Sequence, residues 1–178
     1  MHQQVLDFWF IELEPNQWWV KDLELDALIE RRFGDLHQQA AAGKLVDWRD
    51  NPQASLAEII VLDQFSRNIY RDKADSFAHD ALALALAQLA VAKGFDLKLN
   101  DTERSFLYLP YMHSESAAVH STAVELYQTL GLANNLEFEL KHKAIIDRFG
   151  RYPHRNTILG RVSTDEEQEF LKQPNSGF

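Results

Sequence analysis

DLELDALIERRFGDLHQQAAAG, residues 22–43, sets apolar side chains at Leu25, Ile29, Phe33, Leu36 and Ala40. Steps of three and four place those side chains on one face of an α-helix and on no face of a strand. Gly43 is its natural stop. The same spacing recurs in both directions. A short helix around Val5, Leu6 and Trp9 ends before Pro15, and a third follows the Asp50-Asn51-Pro52 turn on Leu56, Ile59, Ile60 and Ile69. Residues 77–91, rich in alanine and leucine and closed by Gly94, predict a deeply buried fourth helix. Asn100 and Glu103 form a capping box for a short helix carrying Phe106 and Leu107, which Pro110 is expected to break or kink. Helices over 114–130 and 134–149 end at Gly131 and Gly150, and a last one starts at the Thr164–Glu167 capping box.

Strand-like alternation is scarce, so the expected fold is all-α, with seven or eight helices. Short connections make neighbours antiparallel, in either a helical bundle or a stack of helical hairpins, and periodicity leaves both open. Neither a 34-residue self-similarity nor a Pro/Gly/Ser-rich linker divides the chain, which reads as one domain over 1–178. At 178 residues and 46% hydrophobic, it has ample material for a core.

Composition narrows the function classes. The chain has no cysteine, which removes disulfides, thiolate nucleophiles and Cys-based metal sites. The start, MHQQVLDFWFIELE, has no basic leader, and no apolar run approaches the ~20 residues of a membrane helix. A cytoplasmic location and no membrane partner are therefore expected. A net charge of −9 argues against nucleic acid, which is held by a broad basic face. Against that background, residues 141–161 hold six Lys or Arg, two His and the single acid Asp147. Arg148, Arg151, Arg155, Arg161, His154 and Asn156 surround a turn bounded by Gly150 and Gly160, a local field suited to bidentate capture of phosphate or carboxylate. The plainer reading is that Arg148 and Arg151 satisfy helix C-terminal carbonyls and Arg155 pairs with an acid.

Two further constellations bear chemistry. In LDQFSRNIYR, 62–71, Asp63 and Arg67 are four apart on a helix, as are Gln64 and Asn68. These are either surface pairs or a polar wall, since apolar neighbours leave the segment little solvated face. In ERSFLYLPYMHSES, 103–116, His113 follows Pro110 and precedes Ser114, Glu115 and Ser116, which suit helix capping. His113 beside a carboxylate would titrate near neutrality and serve as acid, base or ligand. His113, Glu115, His120, His142 and His154 lack the spacing of a metal motif, so no metal or other cofactor is expected. No serine sits in GxSxG and no glycine-rich phosphate loop occurs, which leaves open whether any reaction is catalysed.

LDFWF at 6–10, LDQFSRNIYRD at 62–72, ERSFLYLPYMHSE at 103–115 and FGRYPHRNTILGRVSTDEEQEFL at 149–171 together resemble DUF924, a bacterial family of unknown function. Ser66 stands where that family usually has proline, and WWVKD at 18–22 where WFxKD is usual. The resemblance implies a tetratricopeptide-like superhelix of stacked hairpins with a concave face, and no activity or catalytic residue. Two functions are expected. One is a small anionic ligand, phosphate- or carboxylate-bearing, held by Arg67, Asn68, His113, Arg148, Arg151, His154, Arg155 and Asn156 in one pocket. The other is a protein-interaction module whose concave face takes an acidic or C-terminal peptide.

Overall fold

The computed structural model describes residues 1–174, 176 and 177, and the regular elements among them are all helical. Helix α1 (His2–Asp7) widens into a π turn (Phe8–Glu12), and α2 spans Leu23–Ala41. Helix α3 (Pro52–Ile60), a second π turn (Val61–Phe65) and α4 (Ser66–Ile69) form one continuous rod. Then come α5 (Asp80–Ala92), α6 (Asp101–Met112), α7 (Ala117–Leu130), α8 (Ala133–Phe149) and α9 (Asp165–Leu171).

Local chemistry explains most boundaries. Asp22 caps α2 by accepting from the amides of Glu24 and Leu25, and Asn51 accepts from Ala54 ahead of α3, whose first residue is Pro52. Both capping boxes form, Asn100 with Glu103 and Thr164 with Glu167. Helices α7 and α8 end on left-handed residues, Gly131 at φ 79° and Gly150 at φ 68°, where a Cβ would be strained.

Two expectations are corrected. Pro110 does not break α6, which continues to Met112. Proline removes one amide donor near the helix end, and burial of Phe106, Leu109, Pro110, Tyr111 and Met112 outweighs that loss. Helix α5 starts later than expected and is buried only along Ala83, Leu86, Ala87 and Ala90, with Leu89 at the surface. It lies on α3 and α6 and is covered from that side.

The packing order is regular. Helix α1 packs on α3, α3 on α6, and α6 on α8; α2 packs on the rod's π turn and α4, α5 on α3 and α6, and α7 on α6 and α8. The main core joins Trp9, Phe33, Ile59, Phe65, Leu107 and Tyr127, while a second, smaller cluster holds Ile145, Ile146 and Tyr152 with Phe149 and Phe170. No helix among the described residues is long and apolar enough to cross a membrane.

Candidate functional site

Where the two cores meet, a polar network is built around Asp63. This residue stands in the π turn of the α3–α4 rod and is buried. Its Oδ1 accepts from His113 Nδ1 at 2.8 Å and lies 3.2 Å from Arg67 Nη1, while Gln64 Nε2 donates to Oδ2 at 2.5 Å. A π turn disturbs the i to i+4 ladder, and side chains take up its carbonyls. Arg67 Nη1 donates to the main-chain oxygen of Asp63 at 2.6 Å, and Ser66 Oγ to that of Leu62 at 2.6 Å.

Arg67 also reaches the start of α5, where Nη2 donates to Asp80 Oδ2 at 3.1 Å. The same oxygen accepts from Arg155 Nη1 at 3.2 Å, and Arg155 Nη2 donates to the backbone oxygen of His113 at 3.1 Å. The Arg155 guanidinium carbon lies 4.5 Å from the ring centre of Phe77 and 4.6 Å from that of Tyr152, within cation–π range. Four separate segments thus deliver two arginines, two aspartates and a histidine to one place.

Burial sets the protonation states. It works against the Asp63 carboxylate, yet Arg67 and His113 prevail and hold Asp63 well below the usual range. Burial, then the Arg67 charge, pushes His113 down, so the ring is neutral at pH 7. An ionised Asp63 can only accept, so the His113 proton sits on Nδ1 and the lone pair on Nε2, which makes no hydrogen bond within the described residues. Burial also lowers Arg155 from its ordinary value, whereas Asp63 and Asp80 overcome burial at Arg67 and raise it.

Tyr152 anchors the loop that carries Arg155. Its hydroxyl donates to the backbone oxygen of Met112 at 2.5 Å and sits 3.2 Å from His120 Nε2. His120 Nε2 donates to the Ser114 carbonyl at 2.8 Å, and Nδ1 meets Glu139 Oε1 at 2.7 Å in a fully buried pair. Glu115 holds the same loop from outside by accepting from the Tyr152 amide at 2.8 Å and from Arg161 at 2.6 and 2.9 Å. Glu115→Ala is expected to cost about 1–3 kcal/mol, because it leaves the Tyr152 amide unpaired and a partly buried guanidinium with the Tyr152 carbonyl in place of a carboxylate. Native-state hydrogen exchange should report faster exchange in residues 151–161 with the centre of α3 unchanged.

Of the eight expected ligand residues, the structure brings Arg67, His113 and Arg155 together. Asn68 instead donates to Asp26 at 2.8 Å, a carboxylate shared with Arg71. Arg148 pairs with Glu166 on the surface, and Arg151 and Asn156 converge on the buried Glu167. His154 lies beside the Tyr152 ring, with centroids 5.5 Å apart. The arginines of the basic segment therefore meet carboxylates from elsewhere in the chain, namely Asp80, Glu115, Glu166 and Glu167. Two surface depressions of about 280 and 400 Å³ run along α2, and none of the eight residues lines either. Among the described residues no group of three or more His, Asp or Glu side chains is placed to hold a metal ion.

Sequence reasoning missed Asp80, Phe77 and Tyr152. Phe77 and Asp80 lie just ahead of a run of alanine and leucine, and Tyr152 lies among the arginines of the basic segment, so none stood out from its neighbours. Glu115 was in view only as a helix-capping or metal-binding group, because its partner Arg161 is 46 residues away.

Comparisons place the chain among known proteins. The sequence model of a family described as bacterial protein of unknown function (DUF924) matches residues 5–175. A solved structure of a protein of unknown function from Agrobacterium tumefaciens is similar, with 38% identity over 97% of each chain and a TM-score of 0.93. No curated protein matches.

Proposed function

We propose, from the premise that this chain belongs to the DUF924 family, that it binds a small anion at Arg67 and Arg155, with His113 beside it as the proton-transferring group. The observation that carries this reading is the convergence of two largely buried arginines, from segments far apart in the chain, on one carboxylate position. Isolated structural ion pairs do not need two guanidiniums, and paired arginines are suited to phosphate or carboxylate recognition. His113 presents the Nε2 lone pair, and the buried Asp63 would stabilise the imidazolium on proton uptake. Functional sites favour such perturbed groups and π turns.

The test is calorimetric titration of the folded protein with inorganic phosphate and with succinate at matched ionic strength. Arg155→Gln is expected to weaken binding at least tenfold, whereas Arg148→Ala, whose partner Glu166 is on the surface, leaves it unchanged. Equal binding by wild type and Arg155→Gln, or none by the wild type, overturns the reading.

A further inference from the structure

We propose that Asp80 is a built-in occupant of this site, that the ligand's anionic group is a carboxylate, and that it enters by displacing the Asp80 side chain. This rests on the anion-binding reading above. Asp80 sets Oδ2 between Arg67 Nη2, at 3.1 Å, and Arg155 Nη1, at 3.2 Å, and its Oδ1 lies 3.1 Å from Arg67 Nη1. The two-arginine fork thus already accommodates a carboxylate.

The fit is incomplete in a specific way. Oδ1 of Asp80 is buried without a well-directed hydrogen bond, and Nε of Arg155, a side chain only 7% exposed, is buried with no acceptor. A carboxylate tethered to the first residue of α5 covers the end of Arg67 but reaches Arg155 through one nitrogen. An untethered carboxylate in the Asp80 position can set one oxygen on Arg67 and the other on Nη1 of Arg155, giving both of its oxygens a directed bond where Asp80 leaves Oδ1 without one. Buried polar atoms left without a directed bond are costly, so the better-placed carboxylate has the advantage.

Release of Asp80 is also inexpensive. The residue capping α5 is His79, which makes no side-chain cap bond, and Asp80 follows it, so moving Asp80 outward breaks no cap. Its side chain is 18% exposed, and a carboxylate facing solvent in a first turn keeps its favourable interaction with the helix dipole. The charge balance selects the ligand class. Arg67 and Arg155 face Asp63 and Asp80, two cations to two anions with His113 neutral. A single carboxylate group replaces Asp80 without changing that sum, whereas a phosphate dianion carries both of its charges on the one group beside the buried Asp63.

Chemical rescue tests the idea. In chloride, Asp80→Ala should unfold at a lower temperature than wild type, and acetate at matched ionic strength should raise its midpoint saturably. Succinate, and N-acetylglycine as the equivalent of a peptide C-terminus, should each bind Asp80→Ala at least tenfold more tightly than wild type. Whichever of the two binds more tightly identifies the source of the carboxylate. Asp80→Asn keeps the shape and loses the charge, and serves where the alanine variant does not fold. Tighter binding of phosphate than of any carboxylate by these variants overturns the ligand class. Arg155-dependent binding by wild type with no gain in either Asp80 variant overturns displacement alone, and no binding by any of the proteins removes the anion site itself.

Discussion

Between pH 6.5 and 4.5 the protein is expected to lose on the order of 5–8 kcal/mol of stability, carried chiefly by three histidines. Burial, then His79, pushes His37 down to about 4; burial takes His142 down to about 3; burial, then Arg155, takes His154 down to about 4. The unfolded chain titrates its histidines near 6.5, so below that pH it binds protons that the folded chain refuses. Each such group contributes about 1.4 kcal/mol per pH unit, and the stability is fully present only above the unfolded value. Glu139 works in the opposite sense, because burial raises it and its contribution is lost as pH rises through the folded value. It is one group against these three and His113, which burial also pushes down. Urea unfolding at half-unit pH steps should show the steep fall, and His142→Gln should flatten it by roughly a third. A flat stability across this window would mean that these rings are solvated and charged in the folded state.

Asp63→Ala is expected to cost about 3–5 kcal/mol, the range for removing one member of a buried ion pair. The loss leaves His113 Nδ1 and Gln64 Nε2 without acceptors, and Arg67 with the carboxylate of Asp80 and the residue 63 carbonyl. Asp63→Asn should cost about half as much, because its carbonyl can still accept from His113 while its amide meets Gln64 donor to donor until Gln64 turns over. The His113 imidazole provides a second readout. With the ionised partner gone, nitrogen NMR at neutral pH should no longer find the proton held on Nδ1. An Asp63→Ala protein as stable as wild type, with an unchanged His113 tautomer, would contradict the geometry of the site.

Much of the fold was legible in the residues. The 22–43 stripe, both capping boxes and the glycine stops at 131 and 150 all became helix faces or ends, because each is a local signal that acts within one or two turns. The Asp63–Arg67 pair was legible for the same reason, being one turn apart on a single rod. Pro110 misled because its local cost is real and was outweighed by burial that no local pattern records. Gln64 and Asn68 have the spacing of a pair, yet one faces Asp63 and the other Asp26, since a π turn rotates the rod between them.

The candidate site divides along that line. The sequence by itself determined an all-helical chain, its helix ends, and the concentration of arginine and histidine after α8. Which carboxylates answer those cations was decided only in the tertiary structure. Asp80 lies 75 residues from Arg155, and Asp63 lies 50 residues from His113. Charge acts through space and falls with distance, so a cluster that looks unpaired along the chain is paired once the helices pack together. What remains is two arginines sharing one aspartate beside a neutral histidine, an arrangement that exists only after packing brings four segments together.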